Sequence, residues 1–192
     1  MNTHIAAVTT LAIAASVSVA AQPESIEFAQ HPNKDTMLAV PSAHARMGTV
    51  YHTLTDRDQQ VYFESEAPLE DIKGQSNDVI GYGVVANGST PRLVAGEWHL
   101  PVRSMRTGIE LRDEHLAGPD WIDAENHPHI VIRVEQTKDT ELQKRADTYS
   151  SYTTTLVGTL SMHGVTREIT IPGAKLTYLE QSASTRNIAK GD

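Results

Sequence analysis

The chain has 192 residues and a formal net charge of −8, and it is 39% hydrophobic and 21% charged. This length and composition fit one soluble globular domain with extensions. The negative charge argues against nucleic acid as a partner and against electrostatic binding to anionic lipid surfaces, because both need clustered Lys and Arg. The chain contains no cysteine, which excludes disulfides and thiolate metal sites.

The N-terminal residues 1–21 are predicted to be a secretory signal peptide. Residues 5–21 form a nearly uncharged run of Ala, Val, Ile, Leu, Thr and Ser that ends in small residues suited to a cleavage site. A membrane-spanning anchor is the alternative, but it needs about 20 strongly apolar residues. We therefore expect a periplasmic or secreted protein with no stable membrane insertion after cleavage. Residues 22–47 carry little pattern and predict an extended or flexible lead-in.

From residue 48 onward the pattern is that of β-strands. Regular alternation of apolar and polar residues predicts strands over 61–66, 93–102, 129–135 and 152–162. Asn87-Gly88 predicts a two-residue type I′ hairpin turn after a strand over 78–86. Two-sided strands at short spacing favour an all-β fold in which an antiparallel sheet closes into a barrel or sandwich. Two more strands are predicted over 165–171 and 175–181.

The strand over 93–102 carries one of the two tryptophans of the chain. Alternation places Val94, Gly96, Trp98, Leu100 and Val102 on one face, which we expect to point inward. Glycine on an inward face permits strand bending or leaves room for a ligand. The residues alone favour neither role for Gly96 or for Gly158 in the strand over 152–162.

A dense block of charge in residues 106–125 is predicted to contain the short helical segment of the fold. Arg112, Asp113, Glu114 and His115 could form an acid–base set, but on a helix Asp113 and Glu114 diverge from each other. A structural network of ion pairs and caps is the favoured interpretation. The chain has no nucleophile elbow and no phosphate-binding loop, so we predict no enzyme and no catalytic residue.

Histidines give the alternative hypothesis of a metal-dependent periplasmic enzyme. His127 and His129 are two residues apart, as on one face of a strand, and His115 and His163 could complete a three-histidine zinc site. Against this, Pro128 indicates that the strand starts there, and nine histidines make chance pairs common. We therefore predict no metal and no other cofactor.

Three separate segments carry motifs that resemble those of one known family. Residues 100–116 read Leu-Pro-Val-Arg-Ser-Met-Arg-Thr-Gly-Ile-Glu-Leu-Arg-Asp-Glu-His-Leu, and with Trp121, His127-Pro128 and Ile130 they are similar to the signature of the YceI family. Residues 158–166, Gly-Thr-Leu-Ser-Met-His-Gly-Val-Thr, resemble its later hairpin. Residues 63–74 resemble its early strand pair. The resemblance covers roughly residues 60–175 in the same order.

The resemblance implies a lipocalin-like antiparallel β-barrel over residues 48–192 that holds a polyisoprenoid or an isoprenoid quinone in the periplasm, with a link to stress responses. Burying isoprenoid carbon is favourable by about 0.8 kcal/mol per CH₂ group, so a deep apolar tunnel needs few polar contacts. The family usually has one more hairpin near position 192, and a chain that stops there is expected to lack this closing hairpin.

On this hypothesis Arg112, Asp113, Glu114 and His115 form the cavity mouth and order the entrance through ion pairs. Two further hypotheses stay open: the protein forms a homodimer, or it binds another protein and its own cavity is vestigial. The residues expected to line the ligand cavity are the apolar side chains Phe63, Trp98, Leu100, Met105, Trp121, Ile130, Ile132, Leu156 and Leu160.

Overall fold

The fold is known from a computed structural model that describes residues 28–29, 37–54, 60–65 and 71–179. The predicted signal peptide and residues 180–192 lie outside the described residues. The expectation that a closing hairpin is missing falls on the same undescribed end of the chain. The strands are β1 Phe28–Ala29, β2 Thr49–Thr53, β3 Val61–Ser65, β4 Ile72–Ser76, β5 Ile80–Ala86, β6 Arg92–Pro101, β7 His129–Arg145, β8 Tyr149–Met162 and β9 Val165–Leu179, and the helices are α1 Ser42–Ala45, a 3-10 turn Val102–Ser104 and α2 Glu110–Ala117.

The strands form one antiparallel sheet in the order β1-β2-β5-β6-β7-β8-β9, with β3 and β4 paired in a separate hairpin. The prediction of an all-β antiparallel fold with a short helical segment is confirmed. The predicted closure is not seen in the described ranges, because no ladder there pairs β9 with β1 or β2. The sheet is nevertheless strongly curved, since Tyr51 on β2 and Tyr178 on β9 belong to one core cluster.

Two strands, β7 and β9, are much longer than their patterns predicted. β7 continues from residue 136 to 145 through polar residues and one exposed leucine, Leu142, without an apolar face, and its pairing with β8 shifts register at three places. β9 joins the two short strands predicted over 165–171 and 175–181. The chain passes Pro172 and Gly173 in a bulge, where Gly173 has a φ of +70°, a value that glycine adopts without strain.

The predicted two-residue turn at Asn87-Gly88 is wrong. Ala86 pairs with Arg92, so residues 87–91 form a five-residue loop. Pro91 explains the difference, because proline has no N–H to extend the ladder. A register shift between Val84 and Val85 also moves Val94 to the outer face, where it packs on the outer cluster instead of beside Trp98.

The apolar core consists of three clusters. A central cluster fills the inside of the curved sheet, an outer cluster covers the opposite face of β5 and β6, and a base cluster joins β3 and the ends of β6 and β7 to α2. The buried members are Tyr51, Val79, Val85, Leu93, Trp98, Val134, Tyr152, Leu156, Ile171, Ala174, Leu176 and Tyr178 in the central cluster, Tyr82, Val84 and Ala95 in the outer cluster, and Val102, Met105 and Ala124 in the base cluster.

The segment predicted to be an extended lead-in is structured in its described part. Leu38 and Val40 pack on the outer cluster, and α1 follows them. The Nδ1 atom of His44 in α1 is hydrogen-bonded to the hydroxyl of buried Tyr82 at 2.7 Å. These contacts shield part of the outer face of the sheet from solvent.

The charged block contains one eight-residue helix, α2. The predicted helical segment over 106–125 is therefore shorter than expected, and residues 119–122 form turns instead. Asp123 has a φ of 55°, which no helix accommodates. Within the described residues, no helix has the length and apolar character needed to cross a membrane.

Candidate ligand-binding interior

Trp98 lies at the centre of the interior. Its side chain on β6 is 4% exposed and belongs to the central cluster. The antiparallel register places Ile132 of β7 opposite Trp98, and Leu160 of β8 opposite Ile132. Directly opposed residues point to the same face of a sheet. Alternation along each strand therefore predicted this row correctly.

Glycines make room for the Trp98 indole. A Cβ atom on Gly96 would overlap the six-membered ring of Trp98, and a Cβ on Gly83 would lie 3.5 Å from its Cζ2 atom. Gly158 has a different role, because a Cβ there would meet the backbone of Arg133. The space at Gly96 is thus occupied by Trp98, and Gly158 permits close approach of two strands. Neither glycine creates open volume for a ligand by itself.

Seven of the nine residues predicted to line the cavity belong to, or pack against, two clusters. Leu156 is 1% exposed and lies with Trp98 in the central cluster, and Ile132 packs against that cluster. Met105 is buried in the base cluster, where Phe63 and Ile130 pack against it. Leu100 contacts both clusters and joins them. The two clusters therefore make one continuous apolar interior, with half-buried Leu160 beside it.

Trp121 differs from its expected place inside the cavity. Its side chain is 55% exposed and lies outside the three clusters. Ile109 and Leu111 at the start of α2 are also exposed, at 50% and 61%. The base cluster is instead completed by Leu116, Ala117 and Ile122 from the same segment. Some apolar residues of the helical segment therefore pack into the interior of the protein, and others are exposed on its surface.

The predicted mouth segment is a polar network at the start of α2. The Oδ1 atom of Asp113 accepts hydrogen bonds from the backbone N–H of Thr107 at 2.7 Å and from its hydroxyl at 2.5 Å. Arg112 Nε donates to the same Thr107 hydroxyl at 3.1 Å. Glu114 and His115 are exposed on the helix surface. This network ties the loop before α2 to the helix, and the role of the segment as a cavity mouth stays a prediction.

The four histidines of the metal hypothesis do not come together. The rings of His127 and His163 are in contact at 5.4 Å between centroids, whereas His129 pairs with His99 at 5.5 Å. His115 is on the exposed surface of α2. In the described part of the chain, no group of three or more His, Cys, Asp or Glu residues could hold a metal ion.

A salt-bridged network covers the outer face behind Trp98. Glu97 accepts hydrogen bonds from Arg133 Nε at 2.9 Å and from His99 Nε2 at 2.7 Å. Burial raises the pKa of Glu97, but its bonds to Arg133 and His99 outweigh burial and hold the pKa below its usual value. Burial, together with nearby His99, lowers the pKa of His129. The charged side chains of this network therefore lie on the face of the sheet opposite the apolar interior.

Sequence reasoning missed a group of tyrosines in the interior. Tyr51 on β2, Tyr152 on β8 and Tyr178 on β9 are each 3–4% exposed, and the rings of Tyr152 and Tyr178 make an edge contact at 5.9 Å. Burial raises the pKa of Tyr51 to about 12 and raises that of Tyr178 further. Alternation with Leu156 and Leu176 is the signal that could have placed Tyr152 and Tyr178 inside.

The surface of the described residues includes two small hollows. One, of about 190 Å³, is beside α2 and includes Arg103, Glu114 and Asp123. The other, of about 260 Å³, is at the turn between β8 and β9 and includes His127 and His163. None of the nine predicted cavity residues lines either hollow. These hollows are therefore distinct from the apolar interior.

The sequence identifies the family of the chain. The YceI-like domain matches residues 44–186. The chain belongs to the YceI-like family. The match includes all nine residues predicted to line the cavity and all three interior tyrosines. No curated protein matches this YceI-like chain.

Solved structures include similar proteins. A YceI protein from Campylobacter jejuni, described as crystallizing with large solvent channels for nanotechnology applications, is 19% identical and has a TM-score of 0.38. A mutant YceI protein with a monobromobimane guest structure is 18% identical, with a TM-score of 0.39. Both alignments cover 60% of this chain and 61% of the other. This chain thus spans less than two thirds of the length of these structures.

Proposed function

We propose that this YceI-like protein is a binding protein that holds an isoprenoid lipid, either a polyisoprenoid or an isoprenoid quinone, inside its curved sheet. The observation that carries the proposal is the continuous apolar interior formed by the central and base clusters. None of the Lys, Arg, Asp and Glu residues that the structure describes is buried. Such an interior suits a long, neutral hydrocarbon chain better than a polar substrate.

The dimensions of the sheet support an elongated ligand. The inward-facing positions of β8 run from Tyr152 to Leu160. At about 3.3 Å per residue this stretch is about 30 Å long. Each buried CH₂ group of a ligand contributes about 0.8 kcal/mol. An apolar chain along this stretch would therefore bind tightly with few polar contacts.

A route for the ligand is available at the seam between the two sides of the sheet. Within the described ranges, β9 makes no ladder with β1 or β2, although Tyr178 of β9 and Tyr51 of β2 share the central cluster. Separating these strands breaks side-chain contacts but no backbone ladder between described residues. We infer that lipid enters and leaves through this seam.

We further propose that the protein works in the periplasm and that it serves under stress. The sequence of residues 1–21, with its uncharged run and small residues before the predicted cleavage site, supports export. Fractionation of the native host, with detection of the mature chain, tests the location. Comparing a deletion strain with its parent under membrane stress tests the role.

Native mass spectrometry tests the binding proposal directly. The full chain is expressed with export to a bacterial periplasm, purified without detergent and sprayed intact, and the bound molecule is identified after organic extraction. We expect one stoichiometric isoprenoid per chain. The proposal would be contradicted if the measured mass is that of the protein alone, both as purified and after incubation with isoprenoid quinone and polyisoprenoid.

A second candidate function is binding of a protein partner at α2. It is favoured by one observation, the exposure of Ile109, Leu111 and Trp121 on and near this helix. Apolar side chains grouped on a surface commonly mark protein contacts. A second copy of the chain would be the simplest partner. Light scattering on the full chain and on a Leu111→Ser, Trp121→Ser double variant distinguishes a dimer at this surface from a monomer.

A further inference from the structure

The hydroxyl of Tyr178 is a buried polar group with no hydrogen-bond partner among the described residues. Tyr178 on β9 is 3% exposed, and within the described part of the chain its hydroxyl oxygen has no hydrogen bond. Leaving a hydroxyl buried and unpaired is unfavourable, and native structures contain few such groups. The position therefore needs an explanation that the packing of the chain does not provide.

The surroundings of this hydroxyl are apolar and aromatic. Tyr178 is a member of the central cluster, and the Tyr152 ring contacts its ring at 5.9 Å. Burial, with smaller contributions from Tyr51 and Tyr152, holds the pKa of Tyr178 far above its usual value. The phenol is therefore protonated at every physiological pH and offers one O–H donor.

The tyrosines occupy one end of the interior. Tyr152 lies near the start of β8 and Tyr178 near the end of β9, so both are at the end of this hairpin opposite the His163-Gly164 turn. Tyr51 comes from β2, on the other side of the seam. A ligand inside the sheet would therefore meet tyrosines at one end and the apolar base cluster towards the other.

We propose that Tyr178 is the head-group donor of the lipid site and that its hydroxyl donates a hydrogen bond to a carbonyl oxygen of an isoprenoid quinone. This inference rests on the proposed function and deepens it by selecting between the two ligand classes. A quinone is neutral and carries carbonyl acceptors, which match a neutral donor in an apolar site. A phosphorylated polyisoprenoid would bring buried negative charge, and no Lys or Arg among the described residues is buried to pair with it.

Removal of the single hydroxyl oxygen tests the proposal, with Tyr178→Phe as the variant and Tyr82→Phe as its matched control. Tyr82 is also fully buried, but on the outer face, and its hydroxyl already bonds His44 at 2.7 Å. The probes are a benzoquinone with two isoprene units, the corresponding hydrocarbon without the ring, and an isoprenoid pyrophosphate of matched length. Affinity is measured by quenching of tryptophan fluorescence, and stability by urea unfolding of the unliganded full chain.

The two variants should behave oppositely. Tyr178→Phe should weaken quinone binding about two- to tenfold and leave hydrocarbon binding unchanged. It should leave the unfolding midpoint unchanged or higher, because the Tyr178 hydroxyl has no hydrogen bond to lose among the described residues. Tyr82→Phe should lower the midpoint and leave quinone affinity unchanged.

Two results would overturn the assignment of Tyr178 and leave the lipid-binding proposal intact. One is equal quinone affinity in wild type and Tyr178→Phe. The other is tighter binding of the pyrophosphate than of the quinone by wild type. If wild type binds none of the three probes, the proposed function itself fails.

Discussion

The indole of Trp98 lies directly over Gly96, two residues earlier on the same strand. A Cβ atom at position 96 would overlap the six-membered ring of the indole. Trp98 is 4% exposed and is packed within the central cluster. The glycine and the tryptophan therefore act as one packing unit, in which the absence of a side chain at one position accommodates the largest side chain at another.

Gly96→Ala should destabilise the protein by about 1–3 kcal/mol, because the added methyl group displaces the indole in a packed interior. Gly88→Ala is the control, since the nearest atom to its Cβ is the Thr90 carbonyl oxygen at 4.0 Å. We expect the control to change stability by less than about 0.5 kcal/mol. Urea unfolding measures both, and equal unfolding free energies for the two variants would show that the indole is free to move.

The two tryptophans should respond differently to truncation. Trp98→Ala removes a buried side chain and should cost about 3–5 kcal/mol. Trp121 is 55% exposed, so Trp121→Ala should change stability by less than about 0.5 kcal/mol. Unfolding curves give the free energies, and the emission maximum of each variant reports the remaining tryptophan. Similar losses of stability in both variants would mean that Trp121 is packed in solution.

Removing the carboxylate of Asp113 should loosen the start of α2. It accepts two hydrogen bonds from Thr107, so Asp113→Ala should cost about 1–2 kcal/mol. Thr107→Val keeps the backbone donor and should cost less. Exposed Glu114 provides the control, as Glu114→Ala. Thermal and urea unfolding are the measurements, and the prediction is wrong if Asp113→Ala is as stable as Glu114→Ala.

His52 should make stability depend on pH. It is 7% exposed, and burial lowers its pKa below the usual 6.5. As the pH falls through about 6.5, the unfolded chain binds a proton there and the folded chain does not, so stability decreases. His52→Leu should reduce the loss of stability between about pH 7.5 and 5.5. An unchanged slope in urea unfolding at these two pH values would exclude His52 as its source.

Side-chain direction along individual strands could be predicted from the sequence because it depends only on the two-residue period of a strand. Trp98 and Leu100 on β6, Ile132 on β7 and Leu156 on β8 therefore lie in or against the central cluster as expected. The motifs that resemble the YceI family are local as well, and the family match over residues 44–186 confirms that resemblance.

Features that depend on more than one strand could not be predicted in this way. Val94 faces outward because a bulge changes the register between β5 and β6. The polar half of β7 is a strand because β8 pairs with it, although its own residues have no apolar face. Trp121 is exposed because other residues of its segment complete the base cluster.

The sequence by itself determined the class of fold, the inward face of most strands and the family, since periodicity and motifs are properties of short stretches of chain. Only the tertiary structure decided that Trp98 fills the space above Gly96 and that Tyr51, Tyr152 and Tyr178 meet from three strands. The physical reason is that curvature brings β2 towards β9, and curvature results from the bulges, close approaches and packing of the whole sheet.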